Sequence, residues 1–179
     1  MIIEKKLLPL QPFVIPLNGL TQGGTDFDWR ADGTFFGRFD NSEILSAELS
    51  IGVHVEKAPR YIGVDCSVKG TVKVVCDRCL EDLTLPVDTA FKLSVKFGEE
   101  SGSADAADRE IVMIPDGAAE LDLSQFIYDY VCTSLPMHRV HPEGECNPEA
   151  LKYLKVESSA EEPAPVAGNP FAALKDILK

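Results

Sequence analysis

VVCDRCLEDL (residues 74–83) breaks an alternating strand pattern with two cysteines at Cys-x-x-Cys spacing, and the alternation then resumes. Upstream, Ile62, Val64, Cys66 and Val68 alternate with Gly63, Asp65, Ser67 and Lys69, and Gly70 is expected to separate this strand from Val72-Lys73-Val74. Downstream, Leu83, Leu85, Val87, Phe91, Leu93, Val95 and Phe97 take odd positions, while Thr84, Asp88, Lys92, Ser94 and Lys96 take even ones. An earlier run does the same: Leu45, Ala47, Leu49, Ile51, Val53 and Val55 alternate with Ser46, Glu48, Ser50, Gly52, His54 and Glu56. Period two sends one face of a strand to the core and the other to water, so three long antiparallel strands with one wet face are the simplest arrangement.

Outward from these strands the signals are shorter. LQPFVIPL (10–17) and DFDWR (26–30) read as strands around a Gly23-Gly24 turn, and IVMIP (111–115) as a short strand after the acidic loop at 99–110. Leu123, Phe126, Ile127, Tyr130, Val131 and Leu135 fall on one helical stripe, with Asp122 or Ser124 as the cap and Pro136 as the stop. A helix over 122–135 therefore covers the sheet. The fold class expected is α+β: an antiparallel sheet, open to partial closure, covered by a helix and carrying a Cys-x-x-Cys knuckle.

The segment at 155–168 is rich in Glu, Ala and Pro without apolar periodicity, which reads as a flexible linker. Beyond it, NPFAALKDILK (169–179) offers Asn169 as a cap and Pro170 at the first helical position. Phe171, Leu174, Ile177 and Leu178 give it one apolar face, and a helix so short must dock on something to be stable. One domain over 1–154, the linker and this terminal helix make up the expected organisation.

The chain of 179 residues has 45% hydrophobic residues, enough for one core, and a formal charge of −12. That charge repels phosphate-rich surfaces and suits a basic protein partner, as well as solubility in general. MIIEKKLLPL has no apolar core of the kind a secretory leader carries, and no run of membrane-spanning length follows, so a cytoplasmic location is expected. In a reducing compartment five cysteines, an odd number, point to metal binding, redox chemistry or buried thiols rather than a disulfide framework.

A tetrahedral zinc site needs four soft or borderline ligands from two segments. Cys76 and Cys79 form one pair. In LPMHRVHPEGEC (135–146), His141 and Cys146 form a second, with Pro142 and Gly144 allowing the loop to aim both at one point and His138 as a competing ligand. The alternative is two reduced thiols in a turn beside surface histidines. A thioredoxin-like role needs the pair at a helix N-terminus, whereas a strand pattern follows here. Cys66 and Cys132 read as packing residues and His54 as solvated. Glu99-Glu100 and Glu161-Glu162 lie in polar segments where burial cannot raise a pKa, and no Ser/His/Asp or phosphate-cradling pattern occurs, so an enzyme is disfavoured.

GTVKVVCDRCLEDL, LDLSQFIYDYVCTSLPMHRVHPEGEC and the terminal NPFAALKDILK together resemble the YceD family, bacterial proteins that accompany large-subunit ribosomal RNA accumulation and ribosome assembly. Cys76, Arg78, Cys79 and Leu80 match its first signature, Leu135, Pro136, His141 and Cys146 the second, and Asn169, Pro170, Phe171 and Leu174 the tail. The resemblance implies a non-enzymatic factor in ribosome biogenesis that supports large-subunit (23S) ribosomal RNA; the acidic surface and the tethered terminal helix point to a basic ribosomal protein or assembly intermediate as the partner. Structural zinc at Cys76, Cys79, His141 and Cys146 is the expected cofactor. The partner contacts are expected from the terminal helix: Asn169, Pro170, Phe171, Leu174, Ile177 and Leu178. A direct RNA binder that stacks bases on Trp29, Phe35, Phe36 or a tyrosine is the alternative, and a thiol redox protein the third.

Overall fold

The computed structural model describes residues 13–20, 23–40, 42–58, 61–98 and 108–154. The linker at 155–168 and the terminal helix at 169–179, with all six expected partner-binding residues, lie outside the described residues. The strands are β1 (Val14–Pro16), β2 (Gly24–Asp32), β3 (Ser46–Lys57), β4 (Ile62–Val75), β5 (Asp82–Phe97), β6 (Glu110–Ile114) and β7 (Glu120–Asp122). The helices are α1 (Gly33–Phe36), α2 (Ser124–Ser134) and α3 (Pro148–Leu154).

A five-stranded sheet in the order β2-β3-β4-β5-β6 forms the scaffold. Its first four strands are antiparallel neighbours, in registers that place Phe27, Val53, Cys66 and Phe91 in one row across the sheet. The alternation read from the sequence is obeyed: Ala47, Leu49, Ile51, Val53 and Val55 of β3 are buried, as are Ile62, Val64, Cys66 and Val68 of β4. Leu45 lies just ahead of β3 and is exposed. β6 departs from the antiparallel expectation, since it runs parallel to β5 with Leu93 opposite Glu110 and Phe97 opposite Ile114. About a dozen positions separate the two strands, a length that permits a parallel neighbour, which a tight hairpin would not. β2 and β6 are the edges of the sheet, and no ladder among the described residues joins them.

Gly70 does not separate two strands. β4 passes through it unbroken, pairing with Leu49 on one side and Val87 on the other. Its φ is +151°, and a Cβ there would lie 2.1 Å from the Glu48 carbonyl oxygen. The glycine lets β3 approach without breaking the phase, so Val72 and Val74 remain on the buried face set by Val68.

One face of the sheet is covered by α2 and by a layer of aromatic side chains. Leu123, Ile127 and Val131 are buried, and Tyr130 stacks on Phe91 of β5 with ring centroids 4.4 Å apart. The helix starts one residue past the expected cap: Leu123 holds the N-cap position without a side-chain bond, and the Asp122 carboxylate just before it accepts from the Ser124 N–H at 2.8 Å. α1 is a single turn capped by Asp32, whose carboxylate accepts from the N–H groups of Thr34 and Phe35. That turn directs Phe35 and Phe36 into the core, where Phe35 meets Phe13 edge-on at 4.8 Å. β1 and β7 form a separate two-stranded antiparallel ribbon, and the Leu123 N–H donates to the Phe13 carbonyl at 2.8 Å. The entry to α2 is thereby tied to the first strand.

Gly70→Ala would place a methyl group against the Glu48 carbonyl and force a β-carbon residue into a positive φ. The expected loss of stability in chemical denaturation is about 2 kcal/mol or more, the range of core overpacking combined with backbone strain. An unchanged midpoint would contradict the close approach of β3.

Candidate metal centre

β4 ends at Val75 and β5 begins at Asp82, and the six residues between them fold into a compact knuckle. The Cys76 N–H donates to the Glu81 carbonyl at 2.8 Å, and the Leu80 N–H donates to the Cys76 carbonyl at 2.9 Å. Leu80 closes the turn at φ +61°. The bend aims the sulfurs of Cys76 and Cys79 inward, and both residues are buried.

The loop after α2 comes alongside. Asp77 and Arg139, 62 positions apart, bond reciprocally: the Arg139 N–H donates to the Asp77 carboxylate at 2.7 Å. The Asp77 N–H donates to the Arg139 carbonyl, also at 2.7 Å. The Arg139 guanidinium reaches Glu43, which ties the same loop to the segment leading into β3. These contacts bring His141 and Cys146 to the knuckle. The Nδ1 of His141 lies 3.4 Å from the Cys79 sulfur and 4.0 Å from the Cys146 sulfur.

The ligating atoms of Cys76, Cys79, His141 and Cys146 all lie within 4.8 Å of one another. Zinc–sulfur bonds of about 2.3 Å set tetrahedral vertices roughly 3.8 Å apart, so a modest contraction would close this group around one ion. The imidazole is oriented for the task. Its Nε2 lies 3.2 Å from the Asp82 carbonyl, so in the neutral ring Nε2–H donates there and the Nδ1 lone pair faces the sulfurs. His138 is exposed and is not part of the cluster.

The electrostatics favour an anionic sulfur at the centre. Burial pushes the Cys76 thiol up, but N–H groups of Cys79, Arg78 and His141 donate to its sulfur and hold it down at about 6. The hydrogen bond to Cys76 raises the His141 pKa against the opposing effect of burial, with Cys79 adding to the rise. Cys146 is shifted up, by burial first and then by the neighbouring thiols. Three thiols and an imidazole so placed can grip a soft cation with every coordination position taken by protein, a donor set suited to holding a fold rather than activating water.

Other candidate residues take ordinary positions. Cys66 is buried under the sheet, where burial raises its thiol to about 12, and Cys132 is half-buried on α2. His54 faces water, hydrogen-bonded to Asp26 at 2.6 Å. Of the residues expected to stack bases, Phe35 and Phe36 are buried and so withdrawn, Trp29 is half-buried against Phe13 and Phe27, and Tyr61 and Tyr153 are exposed. The knuckle sits in a hairpin turn rather than at a helix start, so the thioredoxin setting is absent as well.

Two supports of the cluster lie outside the sequence-based expectations. The Asp77–Arg139 pair has no local signature, since its partners meet only in the fold. α3 does have one: Asn147 precedes Pro148, its side chain accepts from the Glu149 N–H at 2.8 Å, and its amide donates to Glu81 of the knuckle. The same Asn-Pro dipeptide occurs in the sequence at residues 169–170.

Comparison with known proteins adds a family to this geometry. The model of the family described as large ribosomal RNA subunit accumulation protein YceD matches residues 64–178, more than half of the chain. No curated protein matches the chain, and no solved structure does.

The depressed Cys76 pKa has a measurable consequence in metal-free protein. One thiolate should appear in the ultraviolet absorbance as pH rises through about 6, and Cys76→Ser should remove it. The folded value lies below the ordinary thiol value of 9.0, so this group stabilises the fold at high pH and that contribution is lost as pH falls through about 6. A wild-type titration with no thiolate below pH 8 would contradict the assignment.

Proposed function

We propose that this chain, which belongs to the YceD family, is a non-enzymatic factor in ribosome biogenesis that engages a basic ribosomal protein or large-subunit assembly intermediate. The family name implies a role in large-subunit ribosomal RNA accumulation and describes no catalytic activity. The match over residues 64–178 is the observation that carries this reading. A formal charge of −12 supports the protein-contact form of it, because an anionic exterior attracts cationic proteins and repels RNA. No helix among the described residues is long and apolar enough to cross a membrane, and the reading places the protein in the cytoplasm.

Cys76, Cys79, His141 and Cys146 act in this reading as the ligands of a structural zinc ion. When bound, the ion supplies a fixed tetrahedral junction with no open position for a reacting water. The chain supports it by steering the imidazole through the Asp82 carbonyl and by donating N–H groups to the Cys76 sulfur. Because Cys79 and His141 are 62 positions apart, the junction closes a long loop and removes much of the freedom of the unfolded chain. The terminal segment at 169–179 gives the partner a second contact, and the linker at 155–168 raises the effective concentration of each once the other is bound.

Protein purified without tags or chelators should contain one zinc per chain by elemental analysis, and Cys79→Ser should lose it and lower the thermal midpoint. Metal-free wild-type protein with an unchanged midpoint would remove the structural role. Deleting residues 169–179 should leave the midpoint of the remaining domain unchanged while weakening association with purified large ribosomal subunits. Equal association by both forms would count against the terminal segment.

A further inference from the structure

The two segments that meet at the Cys/His cluster also carry outward-facing apolar side chains that the cluster does not use. Leu80 is 76% exposed, Met137 94% and Val140 36%. The reciprocal Asp77–Arg139 bonds and the His141–Cys79 contact set all three at the same end of the molecule. Leu80 is unusual on two counts. Its φ of +61° lies in the region that glycine occupies without penalty and that costs other residues roughly 1 kcal/mol or more, and it is the only non-glycine residue so placed among the described residues. The leucine side chain is also scarcely buried, so packing within the chain offsets little of that cost.

The rim is acidic. Lys73 is paired with Asp82, Arg139 with Glu43 and Lys152 with Glu149. Glu81, Glu143 and Glu145 remain exposed around the tip, with Arg78 as its exposed basic group. A surface of this kind attracts a cationic segment by charge and holds it by burying an apolar side chain of that segment against Leu80 and Met137.

We infer that the knuckle tip, Leu80 with Met137 and Val140 inside a rim of Glu81, Glu143 and Glu145, is the docking surface for a lysine- and arginine-rich protein segment with an aliphatic or aromatic anchor. The inference rests on the ribosomal reading above and names the surface that performs it. The Cys/His cluster holds the two loops of the tip in register, so the tip presents its anchors without ordering them at the moment of contact.

The test uses the full chain with a diazirine amino acid in place of Leu80, or of Ser50 on the opposite, wet side of the sheet as control, mixed with purified large ribosomal subunits. Position 80 should cross-link to basic protein segments on the order of tenfold more than position 50 and should lose the cross-link at about 0.5 M salt. Leu80→Gly relieves the backbone strain, so it should keep or raise the thermal midpoint while weakening association on the order of tenfold. Met137→Ser, on the other loop, should weaken it as well without unfolding the domain. Wild-type association that both variants retain in full would overturn the surface and leave the ribosomal reading standing. Absence of wild-type association would overturn both, and cross-links from position 80 to RNA instead of protein would overturn the partner named here.

Discussion

Three backbone N–H groups, from Arg78, Cys79 and His141, converge on the sulfur of Cys76, although His141 enters from a loop beyond α2. That convergence requires the β4–β5 turn and the loop to be in contact, and the Asp77–Arg139 bonds hold the contact at its edge. A buried sulfur surrounded by donors is stabilised as an anion, and in the metal-free site that anion favours the protonated ring of His141 beside it. Knuckle, ring and third thiol therefore form one unit, and the position of each depends on the others. The loop from Pro136 to Cys146 has few buried apolar residues of its own, so its placement rests on these polar contacts.

The sheet supplies the rigidity behind that unit. β4 pairs with β5 over its full length, from Ile62 opposite Val95 to Val75 opposite Asp82, and so delivers the knuckle as the tip of a long hairpin. Gly70 keeps the hairpin continuous where β3 presses closest. On the covered face, α2 lies along β5 through Ile127, Val131 and the Tyr130–Phe91 stack, and its end releases the chain toward the knuckle. The opposite face is polar, crossed by a row in which Asp26, His54, Asp65 and Lys92 stand opposite one another. One side of the scaffold thus builds the core and one end builds the cluster.

Much of this architecture is legible in the residues alone. The strands β3, β4 and β5 follow from period-two alternation, and α2 from its stripe, because burial on one face imposes those periods directly. Cys76, Cys79, His141 and Cys146 are legible as donor types at useful spacings. Other features mislead. Gly70 resembles a strand break, because glycine serves both turns and close approaches. Phe35 and Phe36 resemble an exposed aromatic platform, because sequence does not tell which way a one-turn helix faces. α3 carries the Asn-Pro signal that is plain at 169–170, but its seven residues are too few to show a helical period, and only Ala150 and Leu151 are partly buried against the core.

The sequence by itself determined the period of each long strand, the face of α2 and the supply of soft donors, since these follow from local chemistry and from which side chains avoid water. Only the tertiary structure decided that β6 runs parallel to β5, that β1 finds β7, and that His141 rather than His138 turns toward the thiols. Each of those outcomes depends on where a distant segment arrives. The free energy that selects it is shared between residues such as Asp77 and Arg139, which have no reason to be linked until the chain has folded.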